Sequence, residues 1–129
     1  LEKNREIKMK ETEEHNQRMA NLTLAEVYPH YVNKVTRKGR TIQELNEVIY
    51  WLTGFGEKEI NEFISKKSKF SEFFEKANLN QNADLIKGRI CGYRIEEIMN
   101  PLTKKVRYLD KLVDELAQGK KMEKILRTK

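Results

Sequence analysis

Asn100-Pro101-Leu102-Thr103-Lys104-Lys105-Val106-Arg107-Tyr108-Leu109-Asp110-Lys111-Leu112-Val113-Asp114-Glu115-Leu116 is the stretch that decides the fold. Asparagine followed by proline is a helix start. The asparagine side chain accepts a free backbone N–H, and proline at the first helical position gives up an N–H that has no helical partner there. Leu102, Val106, Leu109, Val113 and Leu116 then recur at spacings of four, three, four and three, a single helical stripe. The stripe lasts about two heptads, short of the three or four that mark a coiled coil, so this helix is expected at the centre of a bundle. Tyr108 and Leu112 widen its apolar face, enough to bury both sides in one core or to extend into a dimer interface. Gly119 ends it, and Met122, Ile125 and Leu126 leave a final amphipathic turn.

Upstream, the apolar residues recur at three and four, with only two prolines and six glycines to interrupt them. Thr23-Leu24-Ala25-Glu26 and Thr41-Ile42-Gln43-Glu44 both spell capping boxes. Leu24, Val27, Tyr28, Tyr31, Val32 and Val35 line one face of the first helix. Pro29 falls inside it and either kinks it near Ala25 to Tyr28 or opens a separate helix. Ile42, Leu45, Val48, Ile49 and Leu52 follow in the second, which Gly54 closes. Ile60, Phe63 and Ile64 mark a third helix, and Phe70, Phe73, Phe74 and Ala77 a short fourth. Asn78 to Asn82 reads as a loop, with a helix expected from Asn82 through Leu85, Ile86 and Ile90 to Gly92. Gly88 and Gly92 weaken that helix, but a strand there would be alone. The chain is therefore expected to be all-α, a compact single-domain bundle of about six to eight helices with the long C-terminal helix central.

Ten of the first eighteen residues are charged, with only Leu1, Ile7 and Met9 as apolar anchors. Residues 1–18 are expected to be a solvated helix or a loose extension, and 19–129 the single helical domain. The opening stretch has no apolar run of the kind a cleaved signal needs, no segment approaches the length of a membrane span, and there is one cysteine. These features point to the reducing cytoplasm, with no membrane association.

The formal net charge is +6, from 26 Lys and Arg against 20 Asp and Glu. The excess is local, because Lys120, Lys121, Lys124, Arg127 and Lys129 face only Glu123 in the last ten residues. Lys120, Lys121, Lys124 and Arg127 are thus the anion-binding candidates, unless they only complement a helix C-terminus.

In order and spacing, Val27-Tyr28-Pro29, Lys38-Gly39-Arg40-Thr41, Trp51-Leu52-Thr53-Gly54, Ile90-Cys91-Gly92, the run Arg107 to Leu116 and Met122-Glu123-Lys124-Ile125-Leu126 are distinctive. They resemble the small bacterial proteins grouped as domain-of-unknown-function family 2200, over about Arg18 to Arg127. The resemblance implies a compact cytosolic bacterial protein. It brings no activity and no catalytic residue.

Chemistry is sparse. Cys91, with Arg89, Tyr93 and Arg94 as a small pocket, is the one nucleophile or redox-sensor grouping, set against a packed and inert thiol. His15 falls in the solvated extension and His30 on the outer side of its helix, so neither is placed as a base for Cys91. Two His and one Cys at scattered positions give no metal-ligand spacing, and Gly54-Phe55-Gly56 is no phosphate loop, so neither metal nor cofactor is expected. Asp110 and Asp114 with Lys111 read as exposed ion pairs on a helix. Thr41 to Lys66 is helix, turn, helix. Tyr50 is too large for the position four before the turn glycine of a DNA-binding motif, and Glu57 and Glu59 open its second helix.

Three functions follow from this reading. The first is a non-catalytic protein-interaction module that self-associates through Tyr108 and Leu112, a homodimer. The second is an accessory nucleic-acid or anion binder using the basic tail, and the third a small enzyme or sensor using Cys91.

Overall fold

The computed structural model describes residues 11–128. The expected solvated extension lies outside the described residues for positions 1–10. Seven α-helices follow in order among those described: α1 Glu13–Asn21, α2 Leu24–Arg37, α3 Ile42–Thr53, α4 Glu57–Ser65, α5 Phe70–Lys76, α6 Pro101–Ala117 and α7 Met122–Ile125. Caps set the boundaries. The Thr23 and Thr41 hydroxyls accept from the N–H groups of Glu26 and Glu44, whose carboxylates accept in return from the cap N–H groups. Gly54 ends α3 with φ at +76°. Asn100 caps α6 by accepting from the Thr103 N–H. Pro29 lies inside α2, which nevertheless runs unbroken to Arg37. The separate first turn is not formed, because proline costs only the one amide that would have met the Ala25 carbonyl close to the helix start.

The segment from Asn82 to Gly92 departs from expectation. Its helix stops after one 3-10 turn, Ala83–Leu85, and β1 (Arg89–Ile90) pairs with β2 (Tyr93–Arg94) in an antiparallel hairpin. The strand does have a partner, two residues further on. Cys91 and Gly92 form the turn with φ of +53° and +84°, the left-handed pair of a tight hairpin whose twist matches its strands. Glycine at 92 takes this conformation freely, whereas cysteine at 91 hides the usual Asn-Gly signal.

The long helix is central, as its stripe requires. α6 packs against α1, α2, α3, α5, α7 and β1. Val106, Leu109, Leu112, Val113 and Leu116 are all buried at its core face, against Leu24, Val35, Leu45, Val48, Ile49 and Leu52. Phe55, Phe63, Phe70, Phe73 and Phe74 form a connected aromatic cluster beside α5, with successive ring centroids 4.9 to 5.9 Å apart. Among the described residues, no helix is long and apolar enough to cross a membrane.

α2 and α6 run in the same direction. Tyr31 donates to Asp110, Lys34 pairs with Asp114, and Arg40 reaches Lys120, so contacts advance along both helices together. Their C-terminal ends therefore lie side by side, and this places the positive charge of the molecule.

Candidate functional site

Arg40 joins the two helix ends. Its Nη1 donates to the Leu116 carbonyl at 3.2 Å and the Lys120 carbonyl at 2.7 Å, while Nε and Nη2 hold both oxygens of Glu44. The arginine thus satisfies the Lys120 carbonyl just past α6 and adds a second donor to the Leu116 carbonyl, which already accepts from the Gly119 N–H. The Arg40 hydrogen bond, followed by the N–H of Thr41, brings the Glu44 carboxyl down to about 2. Around this clamp, Arg37 and Lys38 from α2 and Lys120, Lys121 and Lys124 from the tail are all exposed. A shallow depression of about 250 Å³, lined by His30, Asn33, Lys34, Arg37 and Lys38, continues the surface along α2.

Within the tail the four expected anion contacts divide. Arg127 is committed to Glu115, 2% exposed, through two hydrogen bonds of 2.7 Å. A guanidinium held this way is a structural strut, so Arg127 leaves the candidate set. Lys120 also approaches Glu115, at 3.3 Å, with its side chain about half exposed. Lys121 and Lys124 make no ion pair among the described residues. Sequence spacing could not show that Arg37 and Lys38 join them, because some eighty residues separate the two segments and only the parallel packing of α2 and α6 brings them together.

The expected interface residues face the core. Tyr108 is 7% exposed and Leu112 is fully buried, so the wide face of α6 is spent inside one chain. Burial on both sides of this helix was the other outcome its pattern allowed. The Asp110, Lys111 and Asp114 group is not a set of exposed ion pairs along one helix either. Asp110 accepts from Tyr31 and Arg107 at 2.7 Å each, Asp114 pairs with Lys34 at 3.1 Å, and Lys111 donates to the Arg89 carbonyl at 3.0 Å.

The hairpin residues also separate. Cys91 is exposed at the turn, not packed away, whereas Tyr93 is buried with its ring 4.9 Å from that of His15 and under the Arg107 guanidinium. Arg94 leans toward Glu96 and Glu97 at 3.9 and 3.8 Å. The four residues of the thiol reading therefore do not turn toward one space. His15 was expected in solvent but is 8% exposed, and its Nε2 accepts from Arg107 at 3.1 Å. Guanidinium groups face both ring nitrogens, with Arg18 Nη2 3.4 Å from Nδ1; burial first, then the charges of Arg107 and Arg18, lower its pKa, against Glu11. Three other hydrogen bonds hold the start of the described chain to the bundle. Asn16 accepts from Thr103, and Glu11 accepts from the N–H groups of Met99 and Asn100 ahead of α6. The expected boundary at 18/19 falls inside α1.

The family described as "Uncharacterized protein conserved in bacteria (DUF2200)" matches residues 18–127. The chain belongs to this family. The resemblance carried by its motifs is thereby confirmed, and the bacterial DUF2200 grouping assigns no activity. Among solved structures the chain is similar to the crystal structure of uncharacterized protein SP1917, at 36% identity and a TM-score of 0.80 over 88% of this chain and 97% of that one. No curated protein matches.

Proposed function

We propose that this DUF2200 chain is a non-catalytic binding domain for a single-stranded nucleic acid, held through its phosphates, and that it works in the bacterial cytoplasm. The Arg40 clamp carries the reading, because it joins the segment that follows Arg37 and Lys38 to the start of the lysine-rich tail, and the cations on both segments are exposed. Clustered cations raise the local concentration of an anionic chain and release its counterions on contact. The protein-interaction reading started from the face of α6, and Tyr108 and Leu112 no longer offer it a surface. Large exposed apolar side chains among the described residues are Ile42 and Met99, too few for an apolar docking patch.

The test is a pair of double charge reversals on opposite segments, read by anisotropy of a fluorescein-labelled oligothymidylate. Arg37→Glu with Lys38→Glu, and separately Lys121→Glu with Lys124→Glu, are each expected to weaken binding about tenfold or more. All four positions are exposed, so the fold is expected to survive. Unchanged binding in both variants contradicts the proposal.

A further inference from the structure

At the far end of α3 from Arg40 is a pocket that no charge argument explains. It measures about 430 Å³ and is lined by Trp51, Gly54, Asn78, Leu79, Asn80, Gln81 and Asn82. None of these side chains is charged. We infer that it is a nucleobase site, which deepens the nucleic-acid reading above and rests on it.

The pocket is built before any ligand arrives. The Asn78 N–H donates to the Thr53 carbonyl and the Asn80 N–H to the Leu52 carbonyl, each at 2.9 Å, so the asparagine-rich loop is laced to the end of α3. Asn80 adds a side-chain bond to the Trp51 carbonyl at 3.2 Å and receives the Asn82 N–H at 2.8 Å. Gly54 makes the close approach feasible. A Cβ there would stand 3.0 Å from the Asn78 carbonyl oxygen, and its φ of +76° suits glycine.

What the loop leaves open matches a base. Trp51 is half-buried and supplies an indole at the wall, a surface on which any planar base stacks. Asn78 and Gln81 are exposed, and among the described residues their amides make no hydrogen bond. A carboxamide offers both a donor and an acceptor, as the edge of a base does. The volume falls within the roughly 300 to 1,000 Å³ of small-molecule sites.

A sugar ring would also suit an indole with amides, and the position of the tail decides between them. The Asn82 side chain donates to the Arg127 carbonyl at 3.2 Å, while Arg40 holds the Lys120 carbonyl at the other end of the same segment. The segment carrying Lys120, Lys121 and Lys124 is thus a strap that runs from the cationic end to the rim of the pocket. Phosphates along the strap with a base in the pocket at its end is the arrangement of a short oligonucleotide strand, which a sugar ring alone would not match.

Trp51 is the sole tryptophan, so its emission reports the pocket directly. The intact chain is titrated with oligothymidylate and with an abasic oligomer of equal length and charge, followed by anisotropy and by Trp51 emission. Oligothymidylate is expected to quench Trp51 and to bind about tenfold tighter than the abasic strand, the scale of stacking one base. Asn78→Ala is expected to shrink that preference while leaving binding of the abasic strand unchanged. Trp51→Leu, once shown to be folded by circular dichroism, should abolish it. Equal binding of the two strands to the wild type overturns the nucleobase site and leaves the polyanion reading standing. If neither strand binds, the polyanion reading fails separately, and uncharged adenosine decides the pocket: saturable quenching that Asn78→Ala weakens supports it, and absence of saturable quenching overturns it.

Discussion

Arg127 closes on Glu115 through two parallel hydrogen bonds, Nη1 to Oε1 and Nη2 to Oε2, both 2.7 Å long. The Arg127 side chain is 16% exposed and that of Glu115 3%, so this fork is shielded from water and ties the tail to the last turn of α6. Removing one partner strands the other charge. Glu115→Gln is expected to cost about 3 kcal/mol in chemical denaturation, and Arg127→Lys, which cannot reproduce the fork, about half as much. A Glu115→Gln protein as stable as the wild type would show that the tail is not held this way.

His15 gives the fold a pH dependence of known sign. Burial, then Arg107 and Arg18, lower its pKa in the folded state, so folding favours the neutral ring. The unfolded ring titrates near 6.5, and its contribution is therefore present above about pH 6.5 and lost as pH falls below it. The urea midpoint is expected to drop from about pH 7 to about pH 5, and His15→Gln to flatten that drop. Carboxylates such as Glu11 and Glu44, whose pKa values are lowered, act further into the acid range.

Arg40 and Glu44 supply a second titration. Glu44 is expected to titrate at about 2 by nuclear magnetic resonance, and to move up toward the ordinary carboxylate range in Arg40→Gln. Its folded pKa lies below its unfolded one, so the stability it adds is present above about pH 4.5 and disappears as pH falls toward 2. The same substitution leaves the Lys120 carbonyl without its Arg40 donor and should loosen the tail, visible as faster amide exchange from Lys121 to Leu126.

How far the sequence discloses this molecule depends on how local each signal is. Both threonine capping boxes, the Asn100-Pro101 start and the α6 stripe are read correctly, because each is decided within one or two helical turns. The hairpin is not, since the signal at Cys91-Gly92 lacks its asparagine and Leu85, Ile86 and Ile90 fit a helical spacing as well. His15 looks solvated because the charges beside it dominate, while its neighbours Tyr93 and Arg107 come from distant segments. Lys121 and Lys124 are visible in a charge count, yet Arg37 and Lys38 become their neighbours only through the parallel packing of α2 on α6. Trp51 and Asn78 to Asn82 were read as part of a helix and a loop, and nothing in their spacing shows that backbone bonds fold one against the other.

Cys91 holds a backbone conformation that asparagine tolerates better. Cys91→Asn creates the favoured Asn-Gly turn and is expected to raise stability by roughly 0.5 to 1 kcal/mol in thermal or urea unfolding. A decrease would mean that the thiol makes a contact which offsets the backbone gain. Because Cys91 is exposed, a maleimide should also label it fully in the native state.

The most direct test of the central claim is the affinity for a labelled single-stranded oligonucleotide across a salt series. With Arg37, Lys38, Lys121 and Lys124 each meeting a phosphate, and about 0.7 counterion released per contact, log K is expected to fall against log salt with a slope near −3. Binding that is absent at low salt, or that holds steady as salt rises, would contradict the account.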